Sequence, residues 1–372
     1  MKIAVNARLL KSKKLDGIGK YTAAILSRVA AANPQHTFYY LFESKPDPDF
    51  LTTANIVPVV LYPSVKHPLL MEVWLHLVLP IYLKFLKPHL FISTDGYLPS
   101  RLSIPSILVI HDLNFLHLDN VIGPWQKTNE RNFLRGAKEA TRLITVSEFS
   151  KADIALQYNI NPDAISVITN GTTHIAVKAM ESETVLEKYS QGKPYFIFIG
   201  TIYERKNVHR LIAAFSIFKN RYRTNHQLLL IGKRIFGEKL VDAAYSQSEH
   251  KDDIIFAGRL SDDETHQLLA HAVALTYVSL FEGFGIPLLE AMQVGTPVIT
   301  SNTTSLPEVA GDAALYVDPL NIPQIADALH IITTNVELKN RLIQNGKKRL
   351  EKFSWETSAQ RMSDEIKALI SC

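Results

Sequence analysis

The sequence predicts an α/β protein built from two domains, each an open, doubly wound parallel sheet. Three observations carry this. The chain has 372 residues, and at roughly 100–200 residues per domain that length favours two domains. Short, unbroken apolar runs rich in Val, Ile and Phe recur between turn residues, as in parallel strands buried on both faces. Helical patterns separate the runs, which implies right-handed crossovers.

The elements follow in order. Five strands are expected in the first half, at Ile3–Val5, Thr37–Leu41, Leu90–Ser93, Ile107–Ile110 and Leu143–Val146. Five more are expected at Tyr195–Ile199, Gln227–Ile231, Ile254–Ala257, Ala274–Val278 and Pro297–Thr300. Helices are expected at Gly19–Ala32, Pro124–Ala140, Val208–Arg221, Asp262–Ala272 and Leu288–Val294. The polar stretch 172–193 shows no strand pattern and reads as the linker. The expected domains are therefore 1–178 and 179–352, followed by a final segment, 353–372. In that segment Phe353, Trp355, Ala359, Met362, Ile366 and Ile370 recur at helical spacing and need a partner surface. In open sheets of this kind ligands bind beyond the carboxyl ends of the strands, so a cleft between the two domains is the expected site.

Composition narrows the class. The chain is 47% hydrophobic and 20% charged, with 16 Gly and 18 Pro, which excludes a disordered or collagen-like chain. A net charge of +4 is too mild for a nucleic-acid binder. Residues 1–178 carry 19 Lys and Arg against 13 Asp and Glu, whereas residues 179–372 carry 21 against 23. The surplus in the first half includes Lys11, Lys13 and Lys14. It reads either as a solvated basic face or as a face for an anionic partner such as a membrane surface. One cysteine, Cys372, permits no disulfide within the chain and no cysteine-based zinc site. The N-terminal apolar run is too short for a signal peptide and reads as a first buried strand. The stretch Pro68–Leu90 is interrupted by Glu72, His76, Pro80, Lys84 and Lys87, so it is no spanning helix. It reads as amphipathic helix, either packed on a core or lying on a membrane. Together these features point to a cytoplasmic protein.

The densest chemical signal is Ser279 to Thr300. Glu282 and Glu290 stand eight apart around the loop Gly283-Phe284-Gly285, and Pro287 fits the first turn of a following helix. The glycines allow a ligand to approach the backbone, and helix-start N–H groups suit phosphate or sugar oxygens. Glu282 is placed to accept hydrogen bonds from sugar hydroxyls. Glu290, about two turns into the helix, would reach different atoms, so a ligand with two hydroxylated ends is expected. Gly17 and Gly19 lie between a strand and a helix whose first turn includes Tyr21, as in a loop that turns N–H groups to a ligand. Gly200 ends a strand. Arg205 and Lys206 precede a helix, where cations oppose the helix dipole unless an anion sits beside them. His111 directly follows the run Ile107–Ile110, at a strand's carboxyl end. Asp112 would orient its ring or cap the next segment. Ser147 and Ser150 follow another strand, with Ser150 as a helix cap or an acceptor-side group. No zinc pattern of histidines occurs.

These segments, in this order along nearly the whole chain, resemble retaining glycosyltransferases of the GT-B fold, specifically glycosyltransferase family 4. Glu282 to Glu290 matches that family's E-x7-E motif. Gly17-Ile18-Gly19-Lys20-Tyr21, His111-Asp112-Leu113, Val146 to Ser150, Asn170-Gly171, Gly200, Arg205-Lys206-Asn207, Phe256 with Gly258 and Leu260, and Ser305 to Val309 resemble its other elements. The resemblance implies two Rossmann-like domains with a last helix returning to the first. It implies transfer of a sugar from a nucleotide-diphosphate sugar to an acceptor hydroxyl, with retention. The implied catalytic residues are His111, Arg205, Lys206 and Glu282. Donor contacts fall on Gly17, Gly19, Gly200, Glu282, Gly283, Phe284, Gly285 and Glu290, and acceptor-side candidates are Tyr21, Asp112 and Ser147. Thr201 stands where many members carry a first arginine. Asp47-Pro48-Asp49 lies in a polar loop and no Asp-x-Asp ends a strand, so no metal or cofactor is expected, with Arg205 and Lys206 in the electrostatic role. Within the family the segments resemble bacterial mannosyltransferases of surface-polysaccharide assembly, with GDP-mannose as first donor, a UDP- or dTDP-linked sugar close behind, and a glycan or lipid-linked acceptor. A UDP-sugar epimerase and a non-catalytic sugar-binding protein remain alternatives.

Overall fold

The computed structural model describes residues 1–10, 15–65, 67–117, 125–175, 179–234 and 239–370. Lys11, Lys13, Lys14 and Cys372 lie outside them. The chain forms two units, Met1–Gly171 with Ser354–Cys372, and Thr172–Phe353.

The first unit holds a seven-stranded sheet of β1 (Lys2–Asn6), β2 (Thr37–Phe42), β3 (Ile56–Val60), β4 (Leu90–Ser93), β5 (Ser106–Val109), β6 (Arg142–Thr145) and β7 (Ile165–Val167), in the order β3-β2-β1-β4-β5-β6-β7. The second holds β8 (Tyr195–Ile199), β9 (Gln227–Ile231), β10 (Ile254–Gly258), β11 (Ala274–Tyr277), β12 (Val298–Ser301) and β13 (Ala314–Val317), in the order β10-β9-β8-β11-β12-β13. Every pairing is parallel. The winding direction reverses between β1 and β4 and between β8 and β11, the positions where such sheets open a crevice for ligands. Ile3, Ala4, Val5, Leu90, Phe91 and Ile92 are fully buried on these central strands, which accounts for their unbroken apolar runs.

Three strands are absent from the sequence reading: β3, β7 and β13. All lie at sheet edges. Edge strands need fewer apolar residues, and β3 accommodates Pro58, whose missing N–H would break a central ladder. The stretch 172–193 is also corrected. It contains helix Ala179–Ser190, and the units divide after Gly171 rather than after residue 178.

Helix Gly17–Ala32 packs Tyr21, Ile25 and Val29, four apart, into the first core. The final helix, Trp355–Ile370, lies against it. Arg28 Nε donates to Glu356 Oε1 at 3.0 Å and Asn33 Nδ2 to Ser363 Oγ at 3.2 Å, while Met362 and Ile366 are fully buried. The chain thus leaves the first unit and later rejoins it at neighbouring points. Thr172 N–H donates to the Phe353 carbonyl at 3.3 Å. A Cβ on Gly171 would lie 2.2 Å from Trp355 N, so only glycine fits there.

The apolar stretch after residue 67 is helical throughout: α-helix at Pro68–Val73, a π turn at Trp74–Val78, and α-helix again at Leu79–Leu86. One side is core. Trp74, Leu75 and Leu79 are fully buried, and Trp74 Nε1 donates to the Leu61 carbonyl at 2.7 Å. Each such side chain contributes about 1.5–3 kcal/mol by burial.

Candidate active site

In the second unit the chemistry collects beyond the carboxyl ends of β8 and β11. Gly200, directly after β8, has φ 152°. A Cβ on the neighbouring Gly232 would sit 1.9 Å from the Gly200 carbonyl oxygen, so the two loops meet through bare backbone. Glu204–Lys206 forms a 3-10 turn, closed by Asn207 in the left-handed region at φ 59°. Asn207 is buried, and its Nδ2 donates to the carbonyls of Val278 (2.9 Å) and Pro319 (2.7 Å). This ties the turn to the end of β11. Helix Val208–Tyr222 begins only after it.

Arg205 and Lys206 both turn to Glu282. Arg205 Nη1 donates to Glu282 Oε2 at 2.8 Å and to the Phe281 carbonyl at 2.6 Å, and Lys206 Nζ donates to Glu282 Oε1 and to Tyr277 Oη, each at 2.6 Å. All three charged side chains are buried, with Lys206 8% and Glu282 6% exposed. Burial alone would raise the Glu282 pKa. Arg205 and Lys206 outweigh it and hold the carboxyl down to about 2. Two expectations change here. The anion beside the two cations is Glu282, and Glu282 gives both its oxygens to them instead of turning to a sugar.

The loop after Glu282 is held from below. Ser305 Oγ donates to the carbonyls of Glu282 (2.8 Å) and Phe284 (3.1 Å), and Glu282 N–H donates to Thr304 Oγ1 at 3.3 Å. Gly285, at φ 105°, caps helix Ile286–Val294, with Pro287 in the first turn. Phe284 is buried edge-on against Phe353, centroids 5.6 Å apart, so its ring is core. Gly283 is also buried. Glu290 is half-buried and little more than one turn into the helix, not two.

In the first unit, His111 follows β5. Its Nε2–H donates to the Thr94 carbonyl at 2.9 Å. A carbonyl only accepts, so Nε2 carries the proton and Nδ1 the lone pair. Burial pushes the His111 pKa below its ordinary value, with Thr94 and Asp112 pulling the other way. The ring meets Tyr21 edge-on at 4.9 Å, and Ser150 Oγ donates to the His111 carbonyl at 3.0 Å.

Several first-unit expectations are corrected. Tyr21 is fully buried between His111 and Trp355, so it is a core residue rather than an acceptor contact. Gly17 and Gly19 belong to the helix's first turn, and Gly19 N–H is taken by the capping Asp16 carboxylate at 2.8 Å. Ser147, not Ser150, caps helix Glu148–Tyr158, and it is buried. Of the two roles read for Asp112, the structure has the cap: its Oδ1 accepts from Asn114 N–H at 3.1 Å, at the start of helix Asn114–His117, and from the Asn114 side-chain amide, while Thr94 and Tyr21 hold the imidazole.

The sequence reading missed a polar cluster at the β1/β4 reversal. Asp95 is buried and accepts from Asn6 Nδ2 (2.9 Å), Ser93 Oγ (2.9 Å) and Tyr97 N–H (3.3 Å) at Oδ1, and from Arg8 Nε (2.5 Å) at Oδ2. The signal available was an acid two residues past an apolar strand. Among the described residues no group of three or more His, Cys, Asp or Glu is disposed to hold a metal.

Comparison with known proteins agrees with this architecture. The backbone matches sucrose-phosphate synthase from Thermosynechococcus elongatus with a TM-score of 0.81 at 18% identity, over 100% of this chain and 99% of that one. The sequence is 28% identical to O-antigen chain mannosyltransferase B of Escherichia coli, over 95% of this chain and 97% of the relative. It is 30% identical to O-antigen chain mannosyltransferase RfbU of Salmonella typhimurium, over 75% and 78%. Two parallel-sheet units of the GT-B kind, with these relatives, define a glycosyltransferase. The chain belongs to glycosyltransferase family 4: the Glycosyltransferase Family 4 profile matches residues 15–174, and the Glycosyl transferases group 1 profile matches residues 183–349.

Proposed function

We propose that this glycosyltransferase moves mannose from GDP-mannose to a hydroxyl of a glycan or lipid-linked acceptor during assembly of a cell-surface polysaccharide. The observation that carries the reading is the buried Arg205–Lys206–Glu282 cluster at the β8/β11 reversal, where two cations stand together at the place such sheets bind a diphosphate. The mannosyltransferase relatives support the choice of sugar. In this reading the C1–O bond to the diphosphate breaks and a bond from C1 to the acceptor oxygen forms on the same face. The acceptor proton goes to the leaving phosphate oxygen. Arg205 and Lys206 stabilise the charge that develops on the diphosphate, so no metal or cofactor is needed. Glu282 holds the two cations in place, Glu290 takes the ribose hydroxyls, and the backbone of Gly200 and of Gly283 to Gly285 approaches the donor. His111, neutral, stabilises charge at the anomeric carbon. The protein works in the cytoplasm, with its basic N-terminal domain in peripheral contact with the inner face of the cytoplasmic membrane.

A donor screen tests this. Nucleoside diphosphate release is measured from GDP-mannose, UDP-sugars and dTDP-sugars, with and without glycan acceptors. Acceptor-dependent release of GDP from GDP-mannose is expected. Acceptor-dependent turnover of another donor alone would overturn the choice of mannose, and an altered sugar still attached to its nucleotide would replace transfer with epimerisation.

A further inference from the structure

The nineteen residues Pro68–Leu86 are long and apolar enough to cross a membrane, yet a third of the most apolar eighteen are buried inside the protein. Trp74 and Leu79 anchor it to the first core, so it is not available to span. What it leaves outside is ordered. Leu69, Leu77, Ile81 and Phe85 are 65%, 56%, 48% and 81% exposed.

The π turn at Trp74–Val78 aligns the first two, Leu69 and Leu77. A π turn holds about one residue more than an α turn. Leu69 and Leu77, eight apart, therefore stand two turns apart on one line, where an unbroken α-helix would rotate them by roughly 80°. Ile81 and Phe85 follow at intervals of four, which carries them roughly 40° and 80° round the same exposed side. Lys84, seven residues after Leu77, lies on the same face, and Lys87 ends the helix; both are exposed. The one acid of the stretch, Glu72, is bound to Arg131 at 2.8 Å and Asn132 at 2.6 Å. An apolar line edged by lysines matches a lipid surface: hydrocarbon takes the line, and the ammonium groups reach anionic headgroups. The positive surplus of residues 1–178 adds to the attraction.

We infer that the stripe Leu69–Leu77–Ile81–Phe85, with Lys84 and Lys87, is the surface by which the first unit lies on an anionic bilayer. This gives the membrane contact proposed above its residues, and it does not depend on the identity of the sugar.

The full chain is sedimented with large unilamellar vesicles of phosphatidylcholine alone or mixed equally with phosphatidylglycerol. Binding to the mixed vesicles is expected to exceed binding to phosphatidylcholine by about tenfold. Leu77→Ser with Phe85→Ser should lower binding to the mixed vesicles about tenfold. Lys84→Gln with Lys87→Gln should remove most of the preference for them. All four side chains are exposed, so melting temperature and nucleoside diphosphate affinity should stay at the parental values. Absence of parental binding, or equal binding by the Leu77/Phe85 variant, overturns the inference. So does a parental dimer in sedimentation velocity that this variant abolishes, since a second copy would then cover the stripe. The donor screen reads sugar transfer in solution, and its failure would leave the vesicle result standing.

Discussion

Replacing Glu282 by Gln keeps the shape of the side chain and removes the charge shared by Arg205 and Lys206. The carboxyl's pKa falls from an ordinary 4.5 to about 2 in the folded protein. At about 1.4 kcal/mol per unit, that shift corresponds to about 3 kcal/mol. The figure agrees with the ~3–5 kcal/mol lost when one partner of a buried ion pair is removed. The sign follows from the depressed value. The stabilisation is fully present above pH ~4.5 and is lost as pH falls towards 2. Glu282→Gln should therefore destabilise the second unit by about 3 kcal/mol at pH 7, and the gap to the parent should close between pH ~4.5 and 2. Urea titration read by tryptophan fluorescence would miss this. The three tryptophans, Trp74, Trp125 and Trp355, all belong to the first unit. Hydrogen exchange of the β8 and β11 amides reports the right transition. Parental protection at pH 7 in Glu282→Gln, or a gap still undiminished at pH ~2, would refute the electrostatic account of the cluster.

Other outcomes follow from the same geometry. Glu290→Ala should weaken nucleoside diphosphate binding by about 1–3 kcal/mol, the cost of leaving polar groups unpaired; titration calorimetry checks it, and unchanged affinity counts against a ribose contact. His111→Ala should slow turnover about a hundredfold while leaving nucleoside diphosphate affinity near the parental value; transfer at the parental rate would make the histidine structural. Under the proposed mechanism, in which Arg205 and Lys206 carry the charge stabilisation, activity should survive EDTA; complete loss restored by Mg²⁺ or Mn²⁺ would show that reading wrong.

What could be read from the sequence tracks how each signal arises. Central strands announce themselves because burial on both faces demands an unbroken apolar run. The edge strands β3, β7 and β13 carry no such demand, and Pro58 argues against a strand unless its edge position is known. Arg205, Lys206 and Glu282 were legible as separate motifs. Their mutual pairing was not, because it joins residues 76 and 77 apart through the β8/β11 contact. Arg8 and Asp95 were missed for the same reason: single charges after two strands have no spacing to betray that those strands are neighbours. Tyr21 shows the opposite failure. Its interval of four to Ile25 and Val29 already marked the buried face of its helix, and the adjacent glycine motif drew it wrongly towards a ligand.

The path of the chain between its units bears on how the protein is made. Synthesis delivers the N-terminus first, yet the first unit lacks its last helix until residues 355–370 emerge. All of Thr172–Phe353 must be translated in between, which at ~5–20 residues per second takes on the order of ten seconds or more. In that interval the second unit has everything it needs to fold, while the helix Gly17–Ala32 waits with the face destined for Met362 and Ile366 uncovered. Of the two units, the one begun first is therefore completed second, and a nascent chain stalled before residue 355 would leave that older unit, not the newer one, exposed to chaperones and proteases.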